Sequence, residues 1–152
     1  MYKVSLVIPV FNVEKYVKES LLSALNQTFS SIEYIIVDDC GKDSSMSVIA
    51  EILKNHPRAN DVFVFKHQKN RGLSAARNTG LGFARGDCVF FMDSDDEIVL
   101  DCIEKHYAAL KSSDVDFTIA NICLEGAKSI HIKPISEKVG NLPLVTSYLK
   151  RM

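Results

Sequence analysis

The sequence has no tryptophan and no excess charge of either sign. Lys+Arg number 18 and Asp+Glu 19, leaving −1. No bulk field therefore draws the chain to nucleic acid or to an anionic membrane. Long apolar runs are missing as well. None approaches the roughly 18 residues that a membrane span requires. The run Val4 to Phe11 is interrupted by Pro9 and followed at once by Glu14, Lys15, Lys18 and Glu19, which sets aside a signal peptide. Cysteine is sparse: no two of Cys40, Cys88, Cys102 and Cys123 form a Cys-x-x-Cys pair. A zinc knuckle is disfavoured, and a reducing, cytoplasmic compartment fits. Phosphate loops are lacking too. No Gly-x-x-x-x-Gly-Lys-Ser/Thr occurs. In Gly80-Leu81-Gly82 with Gly86 the third glycine falls one place late for a dinucleotide fingerprint, so the run reads as close packing with a helix end at Gly86.

What is present is ordinary globular material. Hydrophobic residues make up 47% of the 152 and charged residues 24%. That supports one domain with a real core and argues against disorder. Two periods alternate along the chain. Lys3–Val10, Tyr34–Val37, Val62–Phe65, Cys88–Met92 and Phe117–Leu124 read as buried strands. Between them, Val13 to Leu25, Met46 to Leu53, Leu73 to Ala84 and Val99 to Leu110 carry apolar residues at helical spacing. This alternation predicts an α/β domain, a three-layer sandwich with a mostly parallel central sheet and right-handed crossovers. Beyond Leu124 the pattern weakens, with an edge strand expected within Ser129–Ile135 and a helix within Leu142–Arg151. Phe63, Phe65, Phe90, Phe91 and Phe117 are read as core, and the four histidines, which share no spacing, as satisfied or solvated side chains.

Ligands of open α/β sheets bind beyond the carboxyl ends of the strands. Here those ends are Pro9-Val10-Phe11-Asn12, Asp38-Asp39, Asn70-Arg71-Gly72 and Asp93-Ser94-Asp95-Asp96. Two of the four clusters are acidic. Carboxylates gathered in one crevice raise each other's pKa unless cations or donors compensate. Arg71 and Arg77 are available, and so is a divalent cation. Hard oxygen ligands suit Mg²⁺ or Mn²⁺, and a diphosphate would complete the coordination.

These segments resemble family 2 glycosyltransferases of the GT-A fold. The resemblance rests on Val4–Asn12, on Ile36-Val37-Asp38-Asp39 with Gly41–Ser45, on Asn70–Gly80, and on Gly86–Asp96, which is similar to the family's "DXD" region. It implies a nucleobase pocket lined by Pro9, Val10 and Phe11, with Asp39 hydrogen-bonded to the base, uracil in many members. It implies nucleotide or diphosphate contact by Arg71, and ribose or nucleotide contact by Asp93. Asp95 would be the principal metal ligand for Mn²⁺ or Mg²⁺, with Asp96 behind it. The donor would be a nucleotide-diphosphate sugar, UDP-linked, and the acceptor a hydroxyl of a glycan or lipid-linked molecule in polysaccharide synthesis. An inverting reaction is expected, in the cytoplasm or peripherally at the inner face of a membrane.

In the family the general base lies well downstream of the metal motif, as does a Gln-x-x-Arg-Trp-like motif of some branches. Only 56 residues follow Asp96, without tryptophan, and the spacing of Glu125 and Glu137 supports neither as the base. The expectation is a donor-binding domain over 1–124, the start of a truncated acceptor-side region over 125–152, and a base outside this chain. A sheet edge left open would favour self-association. Two other classes compete. A non-catalytic nucleotide-binding or interaction module would keep the pocket alone. A phospho-acceptor receiver domain would need its paired acids after the first strand, where Pro9-Val10 stands.

Overall fold

The computed structural model describes residues 1–112, 116–124, 130–131 and 145–151. Its main sheet holds four parallel strands, β1 (Val4–Val10), β2 (Ile32–Asp38), β3 (Val62–Lys66) and β4 (Cys88–Phe91), in the order β3-β2-β1-β4. The two central strands are buried along their whole length, as continuous β-branched runs require when both faces are covered.

Strand periodicity sorts the two faces. Val4, Leu6, Ile8 and Val10 of β1, with Ile32, Tyr34 and Ile36 of β2, join the larger core. That core also takes side chains from α1 (Val17–Leu25), α2 (Ser45–Leu53) and α4 (Cys102–Ser112). Val7, Ile35 and Val37 point the other way and meet Ala76 of α3 (Leu73–Phe83). The result is the three-layer α/β/α sandwich that the alternation predicts. Gly80 lets α3 lie close on the sheet, since a Cβ there would come within 2.3 Å of Val7 Cγ1.

Several boundaries differ from the sequence reading. α3 ends at Phe83, not at Gly86, and Gly86 instead makes room for β1, since a Cβ there would stand 2.7 Å from the Ser5 nitrogen. Strand β5 (Asp96–Ile98) is only three residues long and carries no period to read. The strand expected from Phe117 starts at Ala120 as β6 (Ala120–Leu124) and lies outside the parallel sheet. It belongs to a second, mixed sheet of order β5-β8-β6-β7 with β7 (Ile130–His131) and β8 (Val145–Arg151). The helix expected within Leu142–Arg151 is therefore overturned for 145–151. Val145, Thr146 and Tyr148 suit a strand, and β8 pairs with both β5 and β6. The remainder of the region expected to open an acceptor side, 125–129, 132–144 and 152, lies outside the described residues. Phe91 and Phe117 are exposed at 44% and 54%, not core. Phe91 pairs with Val7 in register, on the face that α3 covers chiefly over β1 and β2.

Candidate functional site

The carboxyl ends of the strands converge on one cavity of about 270 Å³. It is lined by Pro9, Val10, Phe11 and Val13 after β1, Asp39 after β2, Asn70, Gly72, Leu73 and Ala76 around the start of α3, and Asp93, Ser94 and Asp95 after β4. Pro9 fits here because the β1 ladder with β4 stops at Val7–Phe91, so its missing N–H faces no strand. Phe11, at 44% exposure, offers an open aromatic wall at the mouth.

The loops beneath the cavity are laced together. Asn12 and Cys40 both adopt left-handed backbone, at φ of 53° and 62°. Such strain persists only where the surroundings hold it. Asn12 Oδ1 accepts from the Lys42 N–H at 2.8 Å, and Asp43 Oδ2 from the Glu14 N–H at 2.9 Å. The Ser45 hydroxyl donates to Asp43 Oδ1 at 2.6 Å and accepts from the Val13 N–H at 2.9 Å. Asp38 does a similar job, accepting from the N–H groups of Cys40 and Gly41. Of the Asp38-Asp39 pair, the first holds a turn and the second faces the cavity.

Asp39 is 2% exposed. Its Oδ1 accepts from the Arg71 N–H at 2.8 Å and lies 2.6 Å from His67 Nδ1, and its Oδ2 accepts from the Gly72 N–H at 2.8 Å. Burial by itself would raise the Asp39 pKa. The His67 hydrogen bond and the two backbone donors more than offset that, and the carboxyl sits below its ordinary value. An ionised carboxylate has about four acceptor positions. The three donors leave one on Oδ2. Gly72, at φ +84°, supplies the turn that brings its own N–H and that of Arg71 onto Asp39.

The other acids are balanced differently. Asp93 pairs with Arg77 of α3 at 2.5 Å. Asp95 has no hydrogen-bond or ion-pair partner among the described residues and stands half-buried on the cavity wall. Asp96 is buried at the start of β5, and its N–H bonds the Asp93 carbonyl at 3.1 Å. Arg71 reaches Asp39 through its backbone. Its side chain lines a neighbouring depression with Lys66, His67, Gln68 and Lys69. The cationic partner inside the site is Arg77.

Among the described residues no three His, Cys, Asp or Glu side chains cluster as a preformed metal cage. A divalent cation still fits the donor set. Among the described residues Asp95 is the one cavity carboxylate with neither a hydrogen-bond donor nor a cation beside it, its oxygens are hard ligands, and Mg²⁺-type sites take one or two carboxylates plus phosphate oxygens.

The sequence reading brought together Pro9, Val10, Phe11, Asp39, Arg71, Asp93 and Asp95; the structure places all of these but Arg71 on the one cavity, and Arg71 in the depression beside it. His67, read as a satisfied or solvated side chain, is satisfied: it directly follows the last residue of β3 and is buried between Asp39 and Thr79, a pairing that spacing does not show.

A curated relative from Haemophilus influenzae, called an uncharacterized glycosyltransferase, is 37% identical over 145 residues, 93% of this chain and 56% of its own length. A poly(ribitol-phosphate) beta-glucosyltransferase of Bacillus spizizenii is 34% identical over 79% of this chain and 19% of its own. Among solved structures, TarS of S. aureus in complex with UDP-GlcNAc superposes with a TM-score of 0.77 at 26% identity, covering 89% of this chain and 38% of that one. This chain thus spans from about a fifth to just over half the length of these proteins. No described helix is long and apolar enough to cross a membrane. Residues 5–150 match the model of glycosyl transferase family 2, and the chain belongs to that family.

Proposed function

We propose that this chain binds the donor of a glycosyltransferase that moves a sugar from a UDP-linked donor to an acceptor hydroxyl in glycan or polysaccharide synthesis, with inversion. The observation that carries the reading is the meeting of four strand ends at one cavity, with an apolar wall, a buried ionised Asp39 and an uncompensated Asp95. The TarS fold bound to UDP-GlcNAc supports the choice of donor.

In this reading Pro9, Val10 and Phe11 hold the base, and the spare Oδ2 position of Asp39 accepts an N–H from its edge. Asp93, fixed by Arg77, faces the ribose. Asp95 would hold Mn²⁺ or Mg²⁺, which when bound supplies positive charge to the departing diphosphate. Arg71, one residue from the cavity wall, is proposed to meet the nucleotide or diphosphate by swinging in from its neighbouring depression. No described residue is assigned as the base. A cytoplasmic site, peripheral at a membrane that presents a lipid-linked acceptor, belongs to the same proposal. So does self-association through the open side of β4, where Phe91, Phe117 and Ile119 are exposed. Light scattering across concentration would refute that last point by showing a strict monomer.

Saturation-transfer NMR with UDP tests the donor reading. Transfer to the uracil ring protons is the expected result. Absence of any transfer from the folded protein would overturn it and leave the family fold without this ligand.

A further inference from the structure

We infer that His67 is a positioning residue for base recognition, acting through Asp39 and held in turn by Thr79. The inference rests on the proposed contact between Asp39 and the base. His67 is 7% exposed, and both of its ring nitrogens are engaged. Nδ1 lies 2.6 Å from Asp39 Oδ1, and Nε2 lies 2.9 Å from Thr79 Oγ1. An ionised carboxylate can only accept, so Nδ1 carries the proton of the first contact. The Thr79 hydroxyl meets the opposite nitrogen and fixes the plane of the ring. Three segments that are distant in sequence are thereby tied at one point: the exit of β2, the exit of β3 and the middle of α3.

The consequence is selectivity. With Oδ1 occupied by His67 and the Arg71 N–H, and one position of Oδ2 by the Gly72 N–H, Asp39 can offer the cavity only a single acceptor of fixed direction. Such an acceptor matches the N3–H of uracil. It opposes the N3 lone pair of cytosine, a site that a buried acceptor rejects strongly because neither group is then paired. Without His67, Oδ1 keeps only the Arg71 N–H and Oδ2 only the Gly72 N–H, so the carboxylate is held less firmly in direction and is more easily protonated. A protonated Asp39 becomes a donor and no longer discriminates between the two pyrimidines.

The test compares UDP and CDP affinity in the wild type, Asp39→Asn, His67→Ala, His67→Asn and the Asp39→Asn/His67→Ala double variant, with melting curves alongside. His67→Ala is expected to weaken UDP about tenfold, roughly one hydrogen bond's worth of binding, and to bring the UDP-to-CDP ratio down with it. His67→Asn, which keeps an amide donor near Nδ1, restores the ratio. In the Asp39→Asn background His67→Ala causes no further loss, as residues acting through one another must behave. His67→Phe keeps the ring and its volume without either nitrogen, and it carries the test if His67→Ala does not fold. An unchanged ratio in His67→Ala and His67→Phe, with Asp39→Asn impaired, overturns the inference and leaves the donor reading standing. Losses that add in the double variant, or that only follow the melting temperature, overturn it too. If Asp39→Asn itself leaves UDP affinity and the ratio intact, the assignment of Asp39 to the base fails first.

Discussion

Each end of the central sheet buries a carboxylate, and the two ends use it in opposite ways. At the amino end Glu33 of β2 is fully buried. It accepts from the Ser5 hydroxyl at 2.6 Å, the Arg85 N–H at 2.6 Å and the Arg85 guanidinium at 2.8 and 2.6 Å. That guanidinium lies 4.3 Å over the Phe63 ring and closes the cluster. Every acceptor position is spent on the protein itself. At the carboxyl end Asp39 is almost as buried but keeps one position turned to a cavity. The same chemistry thus makes a clamp where it is closed and, in the proposed reading, a recognition point where it is left open by one lone pair.

Acid attacks both ends at once and should have the largest effect. Burial opposes ionisation at Glu33 and Asp39, but their donors win and both carboxyls sit below their ordinary values of 4.5 and 3.8. Groups lowered in this way stabilise the fold fully above those values. The stabilisation is lost as pH falls through the lower folded values. Unfolding followed by circular dichroism should therefore be flat at neutral pH and steepen below about pH 4. A Glu33→Ala/Asp39→Asn variant should lose much of that steepness.

Glu33→Ala separates the ends. It leaves the buried Ser5 and the half-exposed Arg85 without their acceptor and should cost about 2 kcal/mol in chemical denaturation. The UDP affinity of the folded protein should stay as it was. A comparable loss of binding would show that the clamp and the site are coupled. Gly80→Ala touches neither carboxylate. The 2.3 Å approach to Val7 exceeds what better helix propensity returns, so about 2 kcal/mol should be lost through overpacking. Asp95→Asn should be smallest in stability, within about 0.5 kcal/mol, because no described partner is lost. Its melting curve should overlay that of the wild type.

The main sheet was legible because β1 and β2 are long, continuous and β-branched, and because α1 and α3 alternate cleanly with them. The cavity was legible for the same reason. Once the strands are placed, Pro9, Asp39 and Asp93 stand at their exits. What stayed hidden depends on tertiary pairing. β5 is too short for any period, and β8, despite its β-forming residues, declares itself only through its pairing with β5 and β6. The roles of Arg71 and Arg77 differ for a reason of direction. One turns its backbone and the other its guanidinium toward the acids, and spacing alone does not say which. His67 was hidden in the same way, since a lone histidine has no pattern until the neighbouring strand end brings Asp39 beside it.

The central claim is that the open end of the sheet is a donor-nucleotide site whose uncompensated carboxylate serves a cation. Calorimetric titration of UDP with and without Mn²⁺, on the wild type and on Asp95→Asn, tests it most directly. Both proteins should bind in the absence of the metal, and Mn²⁺ should raise the affinity of the wild type alone. Failure of the folded wild type to bind UDP, or an equal Mn²⁺ gain in Asp95→Asn, would contradict it.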